Sequence, residues 1–489
     1  MSLATEQVAR SQRASLLADL ASVIGADWLL SQPDDLLLYA YDGSVDHALP
    51  DAVVFPDTAD QVRAVVRIAG RHGVPVVARG AGTGLSGGAI ARCGGIVVST
   101  SRMNRILEVD LRNRRAVVEP GVVNADLSTH TQNFGFHYAP DPSSQKACTI
   151  GGNIATNAGG PHTLLYGVTT NHVLGVEFVT MDAELVTTSG LADAPGYDIT
   201  GLVCGSEGTL GIVTKATVQL LRSPADVKTL LASFDSIASC SAAVSGIVAA
   251  GVVPAAVEMM DQLALKAIAQ FVPQADLPTD VAAVLLLDLD GVPSELAEQE
   301  ASIRTVLQNN DARAIRVARN TAERDLFWLG RKHAFGAVGR ISPDYYVQDG
   351  VIPRTSISPV LYEIGLVSRS FDIPIANVFH AGDGNLHPLL LFDNRIAGAL
   401  DRVIEAGNAI LKICVDAGGM LSGEHGIGME KQTAMSLVFS HDDLAAMQQL
   451  QTVFDPHSLF NPAKIFPAPA GCAEINNLRR STTSHQGHA

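Results

Sequence analysis

Two short segments hold most of the polar atoms in the second half of this chain. They are Val378-Phe379-His380-Ala381-Gly382-Asp383-Gly384-Asn385-Leu386-His387 and Ser422-Gly423-Glu424-His425-Gly426-Ile427-Gly428. Two imidazoles and a carboxylate suit a borderline divalent ion (Zn, or Mn or Fe) and leave coordination positions open for a substrate. A lone histidine is more often a hydrogen-bonded structural residue. Three histidines with a glutamate and an aspartate among glycines read as a site. No H-E-x-x-H spacing is present, so spacing alone leaves the metal question open. Glu424 and His425 are adjacent and would point to opposite faces of a strand. The glycines around them favour a turn, from which both could reach one pocket.

A second kind of chemistry lies in the first half. Arg79-Gly80-Ala81-Gly82-Thr83-Gly84-Leu85-Ser86-Gly87-Gly88 follows a strand-like run and contains G-x-G-x-x-G. Glu108 and Asp110 even lie where a ribose-binding acid would sit in a dinucleotide fold. That fold requires the loop to open a helix whose N-terminus holds the pyrophosphate. Here Gly94 and Gly95 follow too soon for such a helix. Ile106 to Val118 reads instead as a hairpin turning at Arg112-Asn113-Arg114. What remains is a run of backbone N–H groups able to close around an anion as a nest, with glycine supplying positive φ. Two more stretches join it. One is Pro140-Asp141-Pro142-Ser143-Ser144 with Gly151-Gly152-Asn153-Ile154-Ala155-Thr156-Asn157. The other is Gly205-Ser206-Glu207-Gly208-Thr209-Leu210-Gly211-Ile212. Three such stretches in one region imply an extended ligand lying against bare backbone.

The elements around these motifs fall into blocks. Residues 1–48 read as an amphipathic helical lead-in. Residues 49–224 alternate short Val/Ile/Ala strands with glycine turns, and carry a helix over Ala59 to His72. Residues 225–420 have longer helices and strands such as Val281 to Leu289, an α+β pattern. Ala238 to Val257 is apolar but built of small residues and interrupted by Pro254, so it reads as a helix running into a buried strand, not as a membrane span. Residues 421–468 carry the second glycine cluster, and 469–489 form a polar, frayed tail. A chain of 489 residues exceeds one hydrophobic core. Its formal charge of −16 makes nucleic acid an unsuitable partner. The six cysteines show no C-x-x-C or iron–sulfur spacing and read as isolated thiols of a cytoplasmic protein. No secretory signal is evident at the start.

The three glycine stretches, in this order, resemble the FAD-binding domain of the vanillyl-alcohol-oxidase (PCMH) type. The second half resembles the C-terminal domain of the FAD-linked oxidase family of D-2-hydroxy-acid dehydrogenases. Gly330-Arg331-Lys332-His333-Ala334-Phe335 and Gly339-Arg340-Ile341-Ser342-Pro343-Asp344-Tyr345-Tyr346 are most similar to the glycolate oxidase D-subunit group. The resemblance implies an α+β chain in which a PCMH-type FAD domain is joined to a substrate or cap domain. It implies that Gly80 to Ser86 wraps the pyrophosphate. Pro140, Asp141, Ser143, Ser144, Gly151 to Asn157, Glu207 with Gly208, and Ile212 would line the rest of the FAD. Asn461, in a returning strand, would approach the flavin ring. Thr83 stands where some members carry a flavin-linking histidine, so the FAD should be held without a covalent bond there. His380, His387 and Glu424 would hold the divalent metal and His425 would be the base. Arg331 would clamp the substrate carboxylate, because a guanidinium grips a carboxylate with two hydrogen bonds.

The expected reaction is oxidation of a small D-2-hydroxy acid, glycolate to glyoxylate favoured, with hydride transfer to flavin N5. D-lactate or D-2-hydroxyglutarate oxidation on the same scaffold is the nearest alternative, since one methyl carries only about 1–3 kcal/mol of discrimination. The resemblance implies a further cation near Tyr345 to Gln348 in members that act on longer diacids; none lies there, which fits a substrate with one carboxylate. A metal-dependent hydrolase would leave the first 220 residues without a purpose. The resemblance also implies flavin-domain and iron–sulfur partner subunits, and at most peripheral membrane association.

Overall fold

The computed structural model describes residues 3–188 and 195–467. The expected tail, 469–489, lies outside the described residues. In the first part a small sheet orders Leu29–Leu30, Ala52–Val54, Ile96–Ser99 and Val76–Arg79, with the last three parallel. Helix Ala59–His72 crosses over between two of these strands. Its N-cap Thr58 accepts from the Gln61 N–H, and Gly73 ends it in the left-handed conformation at φ 60°. Val62, Val65, Val66 and Ala69 make its buried face. The chain before residue 49 is only partly the helical lead-in expected. Helix Leu3–Ile24 is followed by short turns and by Leu29–Leu30, which pairs with Val53 and Val54 and so belongs to this sheet.

A second, antiparallel sheet orders Ile106–Asp110, Arg115–Val118, Ile212–Gln219, Val173–Val179 and Leu185–Thr187. Ile212–Gln219 alternates buried and half-buried residues along its length, as a strand covered more on one face does. The hairpin expected over 106–118 is present, so Glu108 and Asp110 sit in a strand and Gly80 to Gly95 opens no helix.

The second part is built on a large antiparallel sheet whose central order is Ala314–Val317, Asp226–Phe234, Ala283–Gly291, Ala256–Asp261 and Ile375–His380. The run Ala283 to Leu287 is apolar throughout because it is covered on both faces. Leu285, Leu287 and Leu289 face one core, and Val284 and Leu286 the other. Each leucine so buried contributes about 1.5–3 kcal/mol. Helices Ile237–Ala249, Pro293–Asn309, Ile357–Phe371 and Ala399–Asp416 cover the first face. Gln262–Phe271 and Thr321–Lys332 cover the second. Ala238 to Val257 is the helix-then-strand expected.

The chain then returns to the first part. Phe460 bridges Val76 in parallel, and the Asn461 N–H donates to the Val76 carbonyl at 2.8 Å. This is a single bridge and not the returning strand expected. Cys148, Cys204, Cys240 and Cys414 are free thiols. Cys93 is disulfide-bonded, which corrects the expectation that all six cysteines stand alone. Among the described residues no helix is long and apolar enough to cross a membrane.

Candidate active site

One continuous cavity joins the two sets of motifs. Its wall begins at Arg79 to Ser86, continues through Ser143, Ser144, Gly151, Gly152, Asn153, Ala155 and Thr156, and takes in Glu207, Gly208 and Ile212. It ends at Lys332, Phe335, Tyr345, His387, Glu424 and His425.

The glycine end has the build of an anion cradle. Gly82 has φ 69°, and a Cβ there would run into the Arg79 guanidinium. A Cβ on Gly80 would strike the Thr149 hydroxyl, so bare backbone at the strand end lets it pack against the N-cap of helix Ile150–Thr156. A Cβ on Gly84 would meet nothing within 4 Å. Arg79 is buried and its Nη1 has no partner in the protein. A buried cation with a free donor beside a run of amides fits a phosphate-bearing cofactor.

Besides Ile154, which is buried in an apolar core, four residues expected along the cofactor do not line this wall. Asp141 pairs with His162 Nδ1 at 2.8 Å, and the Pro140 carbonyl accepts from Asn124. Asn157 ends helix Ile150–Thr156 in the left-handed conformation and accepts from the Thr170 N–H. Asn461 is buried and donates from Nδ2 to the carbonyls of Gly88, at 2.9 Å, and Glu207, at 2.7 Å. These four brace the loops from behind. Glu207 meets the cavity, but its carboxylate accepts the N–H groups of Ile427 at 2.7 Å and Gly428 at 2.8 Å, tying the second glycine cluster to the first domain. Burial raises its pKa to about 6.

The imidazole end is held as follows. His380 closes strand Ile375–His380 and stands directly opposite Glu258 of strand Ala256–Asp261. After the tight turn at Asp383 and Gly384, His387 comes back beside it, with ring centroids 5.1 Å apart. Glu424 Oε1 lies 2.9 Å from His387 Nε2 and 3.3 Å from His380 Nε2, while Glu424 Oε2 is buried without a partner. One ligand atom from each of the three lies within 4.8 Å of the others. Two imidazoles, a carboxylate with a spare oxygen and such convergence fit a divalent ion. His380 Nδ1 donates to Glu258 Oε1 at 2.6 Å, which leaves Nε2 as its ligand atom. Burial opposes charge on His380, but Glu258 and Glu424 outweigh it and hold its pKa well above the usual value. Burial also opposes charge on Glu424, and the two imidazoles reverse that and keep it ionised.

Glu424 and His425 do share a turn and both reach the cavity. Asp349 makes the turn, its carboxylate accepting from the Ser422 hydroxyl at 2.6 Å and the His425 N–H at 3.0 Å, with Gly423 and Glu424 also donating. His425 lies parallel to His387, ring centroids 4.9 Å apart at 2°. Burial lowers its pKa to about 4, so the ring is unprotonated at neutral pH. Its Nδ1 is buried without a partner.

Arg331 is not on the cavity wall. Helix Thr321–Lys332 turns it inward, where it is 2% exposed and its Nε donates to Glu258 Oε2 at 2.6 Å. Its Nη2 is buried without a partner. The neighbouring Lys332, left unassigned from sequence, lines the cavity instead. Glu258, Asp349 and Lys431 escaped sequence reasoning. A glutamate inside Ala255-Ala256-Val257-Glu258-Met259-Met260 was a usable signal, since a carboxylate in a buried strand needs a partner.

A glycine-lined cradle that opens onto a histidine–glutamate cluster defines an enzyme site built around an extended, phosphate-bearing cofactor. Comparison with known proteins narrows this. Residues 50–189 match the family described as FAD binding domain, and residues 223–465 match FAD linked oxidases, C-terminal domain. The chain is 44% identical to glycolate oxidase subunit GlcD of Escherichia coli (strain K12), over 97% of this chain and 95% of that one. It is 38% identical to the subunit of the same name from Bacillus subtilis (strain 168), over 89% and 93%. Among solved structures it resembles 4-ethylphenol oxidase from Gulosibacter chungangensis, at TM-score 0.78 and 17% identity, covering 94% of this chain and 98% of that one. It also resembles p-cresol methylhydroxylase, at TM-score 0.77 and 16% identity, covering 93% and 97%. The chain belongs to the FAD-linked oxidases, with a PCMH-type FAD-binding fold, and it is an FAD-linked oxidoreductase.

Proposed function

We propose that this chain oxidises a small D-2-hydroxy acid, glycolate to glyoxylate in the first instance, as the catalytic subunit of a larger assembly. The observation that carries the reading is the single cavity running from the glycine cradle to His387, Glu424 and His425. The cradle of Gly80 to Ser86 would hold the FAD without a covalent bond, and the bound cofactor would supply a two-electron acceptor for a hydride from the substrate's C2. A divalent ion on His380, His387 and Glu424 would acidify the substrate hydroxyl.

The protein's own groups do the rest. His425, unprotonated and free at Nδ1, takes the hydroxyl proton. Lys332, the cation on the cavity wall, meets the substrate carboxylate, in place of the Arg331 expected there. Phe335 and Tyr345 narrow the apolar side, which favours a short acid. The electrons must leave the chain, because no iron–sulfur cysteine spacing is present. Partner subunits, which we take to be a flavin-domain and an iron–sulfur protein peripheral to a membrane, would accept them; the word subunit in the names of the two relatives supports an assembly and no more.

The test is anaerobic bleaching of the bound flavin by glycolate, D- and L-lactate and D-2-hydroxyglutarate. Glycolate should bleach it fastest and L-lactate hardly at all. Faster bleaching by D-lactate or by the diacid would overturn the choice of glycolate. No bleaching by any of them would end the reading.

A further inference from the structure

Glu258 lies outside the cavity and bears no role in the reaction so far described. It is fully buried, on strand Ala256–Asp261, and its Cα is registered against that of His380. Cross-strand partners in register point the same way and meet. Its two oxygens are divided. Oε1 accepts from His380 Nδ1 at 2.6 Å and Oε2 from Arg331 Nε at 2.6 Å. A carboxylate placed only to neutralise a buried arginine would take the guanidinium fork with both oxygens. Here it takes one arm, and Arg331 Nη2 stays without a partner. The arrangement serves two clients at once.

We infer that Glu258 is the positioning residue that holds His380 in its metal-binding tautomer while it anchors the buried Arg331 behind the site, through one shared carboxylate. This rests on the metal reading given above. The chemistry is specific. An Nδ1–H donated to Glu258 fixes the proton on that nitrogen and turns the Nε2 lone pair toward His387 and Glu424. The isosteric amide cannot serve both partners. Its carbonyl accepts from only one, and its NH2 then faces a second donor. If the NH2 faces His380, the imidazole proton moves to Nε2 and the ligand atom is lost. If it faces Arg331, two donors collide. The fully charged carboxylate is therefore required.

The experiment uses the full-length, flavin-loaded protein, stripped of metal by chelation and titrated with Co2+ against a competing chelator. Glu258→Gln should bind Co2+ about 10–100-fold more weakly than the parent, with a changed Co2+ d–d spectrum and its flavin retained. Equal affinity with an unchanged spectrum would overturn the inference. If the parent itself takes up no Co2+, the metal reading fails first, and the role of Glu258 falls with it. Should Glu258→Gln not fold, Glu258→Asp decides. It keeps the charge but draws the oxygens back by one methylene. Weakened Co2+ binding with a shifted spectrum then supports the inference, and unaltered binding refutes it.

Discussion

Lys431 Nζ lies 3.1 Å from Asp349 Oδ2, and solvent reaches neither side chain. The same Asp349 carboxylate gathers the backbone N–H groups of the turn that presents Glu424 and His425. Lys431 also donates to the Gly426 carbonyl at 3.2 Å, so the pair closes the turn from both sides. Burial alone would disfavour charge on Asp349, but Lys431, His425 and His387 hold its pKa well below the ordinary range.

Asp349→Asn should therefore strand a buried ammonium and cost about 3–5 kcal/mol of stability, measured by denaturant unfolding. The double variant Asp349→Asn, Lys431→Met should recover part of that loss, because no buried charge is left unpaired. A single variant that unfolds like the parent would mean that water or rearrangement already serves Lys431.

The elements and the motifs were legible in the sequence to different depths. Helix Ala59–His72 could be read because Thr58, an apolar stripe and Gly73 agree with one another. No dinucleotide helix follows Gly88, because Gly94 and Gly95 leave it no room. The pocket shared by Glu424 and His425 followed from glycine spacing. What could not be read is which polar residues face a ligand and which face each other. Asn461 and Asp141 sit in cofactor-rich stretches, yet their partners are carbonyls and His162. Arg331 and Lys332 are neighbours on one helix, and only the packing against Glu258 decides which of them is turned away from the cavity. Such choices depend on elements more than seventy residues apart in the chain, as the separation of 73 between Glu258 and Arg331 shows.

Gly82 and Gly84 should fail differently when enlarged. At Gly82 the positive φ and the Arg79 guanidinium oppose any side chain within the protein itself. At Gly84 nothing of the protein stands within 4 Å, so a side chain would project into open space. Gly84→Leu should fold with near-parental stability but purify with little flavin, whereas Gly82→Val should lose both flavin and stability. Flavin absorbance per protein and thermal unfolding separate the two. The flavin of the parent should pass wholly into the supernatant on acid precipitation, since Thr83 offers no linking imidazole. Yellow retained in the pellet would contradict that.

Metal removal should separate cofactor binding from catalysis. The expected ligands, His380, His387 and Glu424, sit at one end of the cavity and the glycine cradle at the other. Chelator-treated protein should therefore stay yellow while substrate no longer bleaches it. Re-addition of Zn2+, Mn2+ or Fe2+ should restore bleaching. Loss of the flavin together with the metal would mean that the two sites support each other structurally.

The pH dependence of flavin reduction should report His425. Burial is the largest influence on this ring, and it lowers the pKa to about 4. The Asp349 charge works in the opposite direction, and the stacked His387 adds to the lowering. A base must be unprotonated to act, and this one is so at every pH above its pKa. The rate of reduction should thus hold level from pH 8 down to about 5 and fall only as pH drops through about 4. A free histidine would instead cut the rate near pH 6.5. His425→Ala should lower the reduction rate about 10²–10⁴-fold, retain bound metal and flavin, and abolish the acid limb near pH 4. An acid limb near pH 6.5 that vanishes in His425→Ala would keep His425 as the base but disprove the burial that keeps it uncharged. An unchanged rate in His425→Ala would assign the proton transfer elsewhere, and His387, 4.9 Å away in a parallel ring, would be the next residue to replace.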